Sequence, residues 1–239
     1  SSDEAIATAQ PDGTVTGIRH GQAAVMVRYL EHVEAKTFAF VKPIKGFQWS
    51  NPIPANYIDR HVHAKLREMQ YLPSGLCTDN DFVRRVHLDV LGRLPTIAEI
   101  RAFLVDVRKD KRTRLIESLL VRPEYATFWA QKWGDLLRLE PKQITATGTH
   151  KFHQWLVQAF SNNLPYDRFA HALLTANGST FTHPATNYYR TAKDTNDALE
   201  TTSQIFLGSR LVCAKCHNHP YERWTQDNYY GLAAVFNRV

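Results

Sequence analysis

The chain has 239 residues and a net charge of +6; 44% of its residues are hydrophobic, with five Trp and ten Tyr among them. This composition predicts a packed globular protein and argues against intrinsic disorder, and no segment approaches the ~18 consecutive apolar residues that a membrane span requires. The positive charge is spread along the chain, and its one short basic run, Arg108–Arg114, is typical of a solvated helix start, so nucleic-acid binding is not expected.

Residues 1–45 are predicted to form a small β segment. Turn signals at Asp12-Gly13 and His20-Gly21 separate β-rich runs at Thr14–Ile18, Ala23–Tyr29 and Ala35–Val41. The stretch resembles the second half of a bacterial immunoglobulin-like domain of group 2, in which D-G-x-V-x-G is followed by a G-x-A-x-V strand. This resemblance implies an extracytoplasmic spacer with no chemistry of its own.

Residues 46–56 are interpreted as a linker, because Gly46, Pro52 and Pro54 prevent a continuous helix or strand. The polar opening Ser1–Glu4 leads us to expect that the chain is a piece of a longer protein.

From residue 57 onward the pattern becomes helical. A first helix is expected to end before Pro73, and a second is expected to be capped by Asp79 and to end at Gly92. Thr96 and Glu99 have the spacing of a capping box at the start of a third helix. Further helices are predicted at about 112–120, 125–137, 152–160, 166–177, 197–207 and 225–236. The fold class is therefore predicted to be mainly α, with a multi-helix domain over 57–239 behind the β segment.

The most specific chemical signal is Cys213-Ala214-Lys215-Cys216-His217. This C-x-x-C-H spacing is typical of covalent c-type haem attachment. Two thiols on one helical turn can add to the two vinyl groups of a porphyrin, and the following imidazole can then bind the iron. The prediction is that Cys213 and Cys216 attach the haem and that His217 is its proximal iron ligand.

Other chemistries also fit these residues. Cys213 and Cys216 with His217 or His219 have plausible spacing for zinc, although a fourth ligand would then come from elsewhere if only one His binds. A redox dithiol or a disulfide is a further possibility. His219 could instead contact a haem propionate or bond to the backbone. If Cys213 and Cys216 hold a haem, Cys77 is expected to be a single free thiol with a structural role.

Several sequence motifs resemble those of the DUF1549 family, the planctomycete cytochrome domain, and occur in the same order as in that family over about residues 57–239. They are Phe82–Thr96, Trp129–Arg138, Asn163–Phe169 and Phe206–Ala233 with the C-x-x-C-H motif inside it. The resemblance implies an exported protein in which a further domain of unknown function (DUF1553) follows.

The function expected from motif and resemblance together is that of an extracytoplasmic c-type haem protein. It would perform electron transfer or redox chemistry with an adjacent domain or a redox partner protein. The alternatives are a non-haem Cys/His metal-binding domain of an extracytoplasmic enzyme, with zinc or no cofactor, and a structural domain of a surface protein. No nucleophile–base pair, paired carboxylates or phosphate loop is recognised, so enzymatic activity is left undecided.

Overall fold

The N-terminal segment consists of two antiparallel strand pairs. A computed structural model of the protein describes residues 1–30 and 32–237, with His32 and Val33 described by their backbone only. Strand β1 (Ala7–Ala9) pairs with β2 (Val15–Gly17), and β3 (Gly21–Tyr29) pairs with β4 (His32–Phe40). The sequence predicted β2, β3 and β4 and missed the short β1. The resemblance to an immunoglobulin-like domain stays a prediction, because two separate pairs do not make a sandwich.

Helices dominate the rest of the described chain, which confirms the mainly-α class. They are α1 (Tyr57–Glu68), α2 (Asp79–Leu91), α3 (Ile97–Val105), α4 (Lys111–Leu120), α5 (Pro123–Leu136), α6 (Pro141–Ser161), α7 (Tyr166–Leu174), α8 (Asn187–Arg190), α9 (Thr195–Phe206) and α10 (Gln226–Phe236). The sequence did not predict α8, and α7 ends earlier than expected. No helix within the described ranges has both the length and the apolarity needed to cross a membrane.

Local capping signals explain most helix ends. Thr96 and Glu99 form the expected capping box, in which each side chain accepts a hydrogen bond from the other residue's backbone N–H. Gly92 ends α2 in the left-handed conformation, with φ of 70°. The cap expected at Asp79 was wrong: Thr78 caps α2 by accepting from the Asp81 N–H. Asp79 is instead the first helical residue and pairs with Lys111 and Arg112 of α4.

The chain forms two compact units, and one of them combines an N-terminal with a C-terminal part of the sequence. One comprises Ser1–Gly75 and Arg210–Val235, so the strand pairs, α1, the Cys motif and most of α10 share a unit. The other comprises Leu76–Ser209 and the residues from Phe236 onward. Residues 41–56, which include the predicted linker, form no helix or strand.

The core of the second unit is rich in aromatic side chains from α5, α6 and α7. Trp133 of α5 lies with its ring centre 4.9 Å from that of Phe169, in an edge-to-face arrangement. Phe169 also stacks on Trp155 of α6 at 5.5 Å. Phe152 and Leu156 are fully buried in the same cluster. These contacts hold α5, α6 and α7 together.

In the same unit, the carboxylate of Glu99 forms hydrogen bonds with three other residues. It accepts hydrogen bonds from Arg93, from Arg122 and from the backbone N–H of Thr96. The guanidinium of Arg93 holds the pKa of Glu99 well below its usual range; burial opposes this shift, and Arg122 adds to it. The wholly buried His87 points its Nε2 toward the same carboxylate at 3.6 Å. Glu99 therefore serves both as a helix cap and as a tertiary ion-pair centre.

Helix α6 contains a break that the sequence did not indicate. Thr145 has φ of 67° and ψ of 158°, values that non-glycine residues rarely adopt. Its hydroxyl accepts a hydrogen bond from the Gly148 N–H at 3.2 Å, so Thr145 caps the longer helical part that follows.

Candidate functional site

The C-x-x-C-H motif begins in a short 3-10 turn, Leu211–Lys215. Cys216 follows with right-handed helical backbone angles, φ of −107° and ψ of −23°. Residues three apart in a 3-10 turn project from the same side, and Cys216 directly follows this turn, so we expect the thiols of Cys213 and Cys216 to lie on one face. Leu211 and Ala214 are buried and anchor the turn.

Both cysteines of the motif are free thiols, with Cys213 partly buried and Cys216 exposed. Cys77, in the other unit, is also free and partly buried. Cys216 is therefore the more solvent-accessible of the two motif sulfur atoms.

The His217 side chain is exposed, and its Nδ1 lies 2.7 Å from the backbone carbonyl oxygen of Asn218. Because a carbonyl oxygen can only accept, Nδ1 carries the ring proton in this contact. The lone pair of Nε2 is then available to a metal ion. Metal-binding histidines commonly have this arrangement, with the second ring nitrogen donating to a backbone carbonyl.

His219 has a different environment, because it is buried and bonded to its own loop. Its backbone N–H donates to the carbonyl oxygen of Trp224 at 2.8 Å. Its Nδ1 accepts from the backbone N–H of Tyr221 at 3.2 Å, which places the proton of a neutral ring on Nε2. A metal-binding role for His219 stays a prediction, and it would require this pattern of protonation to change.

Helix α10 braces the turn from the C-terminal side. The Gln226 side-chain amide donates to the carbonyl oxygen of Lys215 at 3.0 Å, and the Tyr230 hydroxyl donates to the same oxygen at 3.1 Å. The backbone N–H of Gln226 donates to the side-chain oxygen of Asn218 at 3.0 Å. Lys215, which lies between the two cysteines, and Asn218, which follows His217, are thus both hydrogen-bonded to α10.

The start of α10 is itself capped. Thr225 and Asn228 exchange hydrogen bonds between side chain and backbone, both at 3.1 Å. Sequence reasoning predicted a helix from Thr225 but missed the contacts of Gln226. The Thr225-x-x-Asn228 pattern, which begins eight residues after His217, was the available signal. Tyr229 of this helix is fully buried, with its ring 5.2 Å from that of Tyr230.

We expect Gln226→Ala to loosen the turn and to increase the alkylation rate of Cys213 and Cys216 a few-fold in the haem-free protein. The variant loses one hydrogen bond to Lys215, worth about 1 kcal/mol, while the Tyr230 contact remains. The measurement is iodoacetamide labelling with peptide mass mapping, using Cys77 as the internal reference. Gln154→Ala, at an exposed position of α6, is the control. Unchanged rates at the two motif cysteines would contradict the bracing role.

The arrangement supplies two thiols and one imidazole with a free lone pair, so the residues fit a covalently attached haem. They do not form a closed metal site by themselves. Within residues 1–30 and 32–237, no three His, Cys, Asp or Glu side chains are grouped so that they could hold a metal ion. The zinc alternative with Cys213, Cys216, His217 and His219 therefore stays a prediction, and a disulfide between the cysteines does as well.

Comparison with known proteins gives one match. A family model described as PSCyt2, a protein of unknown function (DUF1549), matches residues 57–239. No curated protein matches the chain, and no solved structure does.

Proposed function

Since the chain belongs to the PSCyt2 (DUF1549) family over residues 57–239, we propose that its Cys-x-x-Cys-His turn carries a covalent c-type haem. The observation that supports this most is the turn itself, with two free thiols three residues apart and an imidazole whose Nδ1–H donates to a backbone carbonyl oxygen, which leaves the lone pair of Nε2 for the iron. The proposed function is electron transfer or redox chemistry with an adjacent domain or a redox partner protein. We propose an extracytoplasmic location for it.

The roles of the residues follow from their chemistry. Cys213 and Cys216 would each add S–H across one vinyl group, so that sulfur bonds to one carbon and hydrogen to the other, without net oxidation. His217 would give Nε2 to the iron while its Nδ1–H donates to the Asn218 carbonyl oxygen. When bound, haem supplies a one-electron iron couple. Gln226 and Tyr230 hold the backbone between the two attachment points.

The test is an absorption spectrum with a pyridine haemochrome assay on protein exported from a host that matures c-type cytochromes. We expect a Soret band and a c-type α band that survive acid–acetone extraction. The double variant Cys213→Ala/Cys216→Ala should lose the extraction-resistant pigment completely. Cys77→Ala is the matched control and should keep it, because Cys77 lies outside the motif.

A colourless wild-type protein would overturn the proposal if a known c-type cytochrome matures in the same host. Metal analysis of that colourless protein would separate the alternatives. One zinc per chain, lost in the double cysteine variant, would support a Cys/His metal site. Absence of any metal would support a structural domain.

A further inference from the structure

A cleft between α5 and α9 lies wholly within the unit that contains Leu76–Ser209. Its volume is ~500 Å³, within the range of small-molecule sites. One wall is polar and comes from α9, and the other is apolar and comes from α5 and the start of α7. No part of the proposed haem function uses this cleft, and the inference drawn from it does not rest on that function.

The polar wall is one face of a helix. Asp197 lies three residues before Glu200 and four before Thr201, and Gln204 lies four and three residues after them, so the four side chains share one side of α9. The guanidinium of Arg138 closes the end of this wall, with Nη1 at 2.8 and 3.0 Å from the two Asp197 carboxylate oxygens and Nη2 bonded to the Thr201 hydroxyl. The side chains of Arg138, Asp197 and Thr201 are thus held in place before any ligand binds.

Arg138 occupies a backbone position that favours glycine. It follows the end of α5 with φ of 56°, and the next N–H, that of Leu139, donates back to the Gly134 carbonyl oxygen at 2.9 Å. A non-glycine residue in this conformation costs about 1 kcal/mol. The contacts of its side chain with Asp197 and Thr201 offset that cost and fix the guanidinium at the cleft.

The carboxylate of Asp197 is ionised in this setting. Burial raises the pKa of Asp197, but hydrogen bonds from Arg138 and from the Lys193 N–H outweigh burial and lower the pKa overall. Asp197 is therefore an acceptor only, and its charge neutralises that of Arg138.

The apolar wall offers one accessible ring. Tyr166 is 54% exposed, and its ring centre lies 6.0 Å from that of Trp133. Trp133 is itself packed against Phe169 and Phe206 and so is held rigidly by the core. Leu136, also 54% exposed, extends the apolar surface.

The charges and the shape of the cleft disfavour several classes of ligand. Among the described residues that line the cleft, Arg138 is the only cation, and it is paired with Asp197, while Glu200 adds a second negative charge to the lining, which disfavours an anion. A hydrocarbon would remove these polar groups from water without replacing their hydrogen bonds. An organic cation is best held between several ring faces, whereas this wall exposes mainly Tyr166.

A sugar ring fits both walls, because it has an apolar C–H face and a rim of hydroxyl groups that donate and accept. We propose that the cleft between α5 and α9 binds a neutral sugar unit of a glycan. Its C–H face stacks on Tyr166, and its hydroxyls bond to Gln204 and the other polar side chains of α9.

The test is binding of residues 1–239 to an array of neutral oligosaccharides, followed by calorimetry and saturation-transfer NMR on the best glycan. Tyr166→Ala and Gln204→Ala are each expected to weaken binding about ten-fold or more, which corresponds to ~1.4 kcal/mol. Tyr166→Phe should retain binding, since it keeps the ring. Tyr57→Ala, at an exposed tyrosine of α1, is the control and should leave binding unchanged.

Circular dichroism and thermal unfolding establish that each variant is folded. Absence of binding to every neutral glycan on the array would overturn the proposal. Glycan binding that is unaffected by both Tyr166→Ala and Gln204→Ala would overturn it as well, because the sugar would then lie elsewhere. Binding of tetramethylammonium with no glycan binding would mark the cleft as a cation site and would also overturn it.

Discussion

Gly92→Ala is expected to lower the free energy of unfolding of the Leu76–Ser209 unit by about 3 kcal/mol. Gly92 has φ of 70°, which costs an alanine about 1 kcal/mol. A Cβ at this position would lie 2.1 Å from Cδ2 and 2.8 Å from Cγ of Phe128. The ring would have to move as a whole, and overpacking of this kind costs ~1–3 kcal/mol. Urea denaturation followed by circular dichroism measures the change.

Gly208→Ala is the matched control for this prediction. Gly208 lies in the same unit with φ of 64°, and no atom lies within 4 Å of a Cβ built there. We expect this variant to lose only the conformational contribution, about 1 kcal/mol. Equal losses for the two variants would show that Phe128 yields without cost. A Gly92→Ala/Phe128→Leu variant should recover part of the loss if the clash is the cause.

Glu99→Gln is expected to lower the free energy of unfolding by about 2 kcal/mol at pH 7. The carboxylate is only 20% exposed and joins Arg93 and Arg122, so its neutralisation removes the nearest anion from both guanidinium groups, of which Arg93 keeps a longer contact with Glu124 at 3.5 Å. The amide also loses its charged hydrogen bond with the Thr96 N–H at the start of α3. Urea denaturation of both proteins across a range of pH measures the difference.

The loss should depend on pH in a defined direction. Arg93 and Arg122 hold the pKa of Glu99 in the folded protein well below its usual range, whereas the unfolded chain has a pKa of ~4.3. The stabilisation is therefore fully present above about pH 5 and is lost as the pH falls toward the folded-state pKa. The difference between wild type and Glu99→Gln should shrink below about pH 4.

Glu117→Gln serves as the control, because Glu117 lies on the exposed face of α4. Its unfolding free energy should follow that of the wild type within ~0.5 kcal/mol at every pH. If the effect of Glu99→Gln were independent of pH between 3 and 7, the proposed electrostatic origin would be wrong. The buried His87 would then be the next residue to examine, given its distance of 3.6 Å from the carboxylate.

Local signals carried most of the information about helix ends. The Thr96–Glu99 capping box and the glycine after α2 were predicted correctly because both depend on contacts within a few residues. The error at Asp79 has a tertiary cause. Its carboxylate pairs with Lys111 and Arg112, more than thirty residues away, which leaves Thr78 as the cap.

At the candidate cofactor site, too, the local arrangement was predicted from the sequence and the tertiary contacts were not. The spacing of Cys213, Cys216 and His217 indicated two thiols and one imidazole in a single turn, since residues three apart in a helical turn share a face. The hydrogen-bonding partner of His217 and the brace from Gln226 were not predicted. Side-chain partners of this kind depend on how the loop between Asn218 and Thr225 folds back.

The amino-acid sequence by itself determined the mainly-α class, most of the helix limits and the chemical character of the Cys-x-x-Cys-His turn. These follow from backbone preferences, hydrophobic spacing and residue chemistry, all of which act over a few residues. Only the tertiary structure decided that Arg93 and Arg122 share Glu99, and that Arg138 meets Asp197 at the α5–α9 cleft. These partners lie up to 59 residues apart, and no local pattern specifies them. Burial of Trp133, Phe152 and Phe169 in the aromatic core sets the positions of α5 and α9, which bring Arg138 to Asp197. A separate cluster of Val86, Leu91 and Leu119 packs α2 against α4, the helices that end just before Arg93 and Arg122.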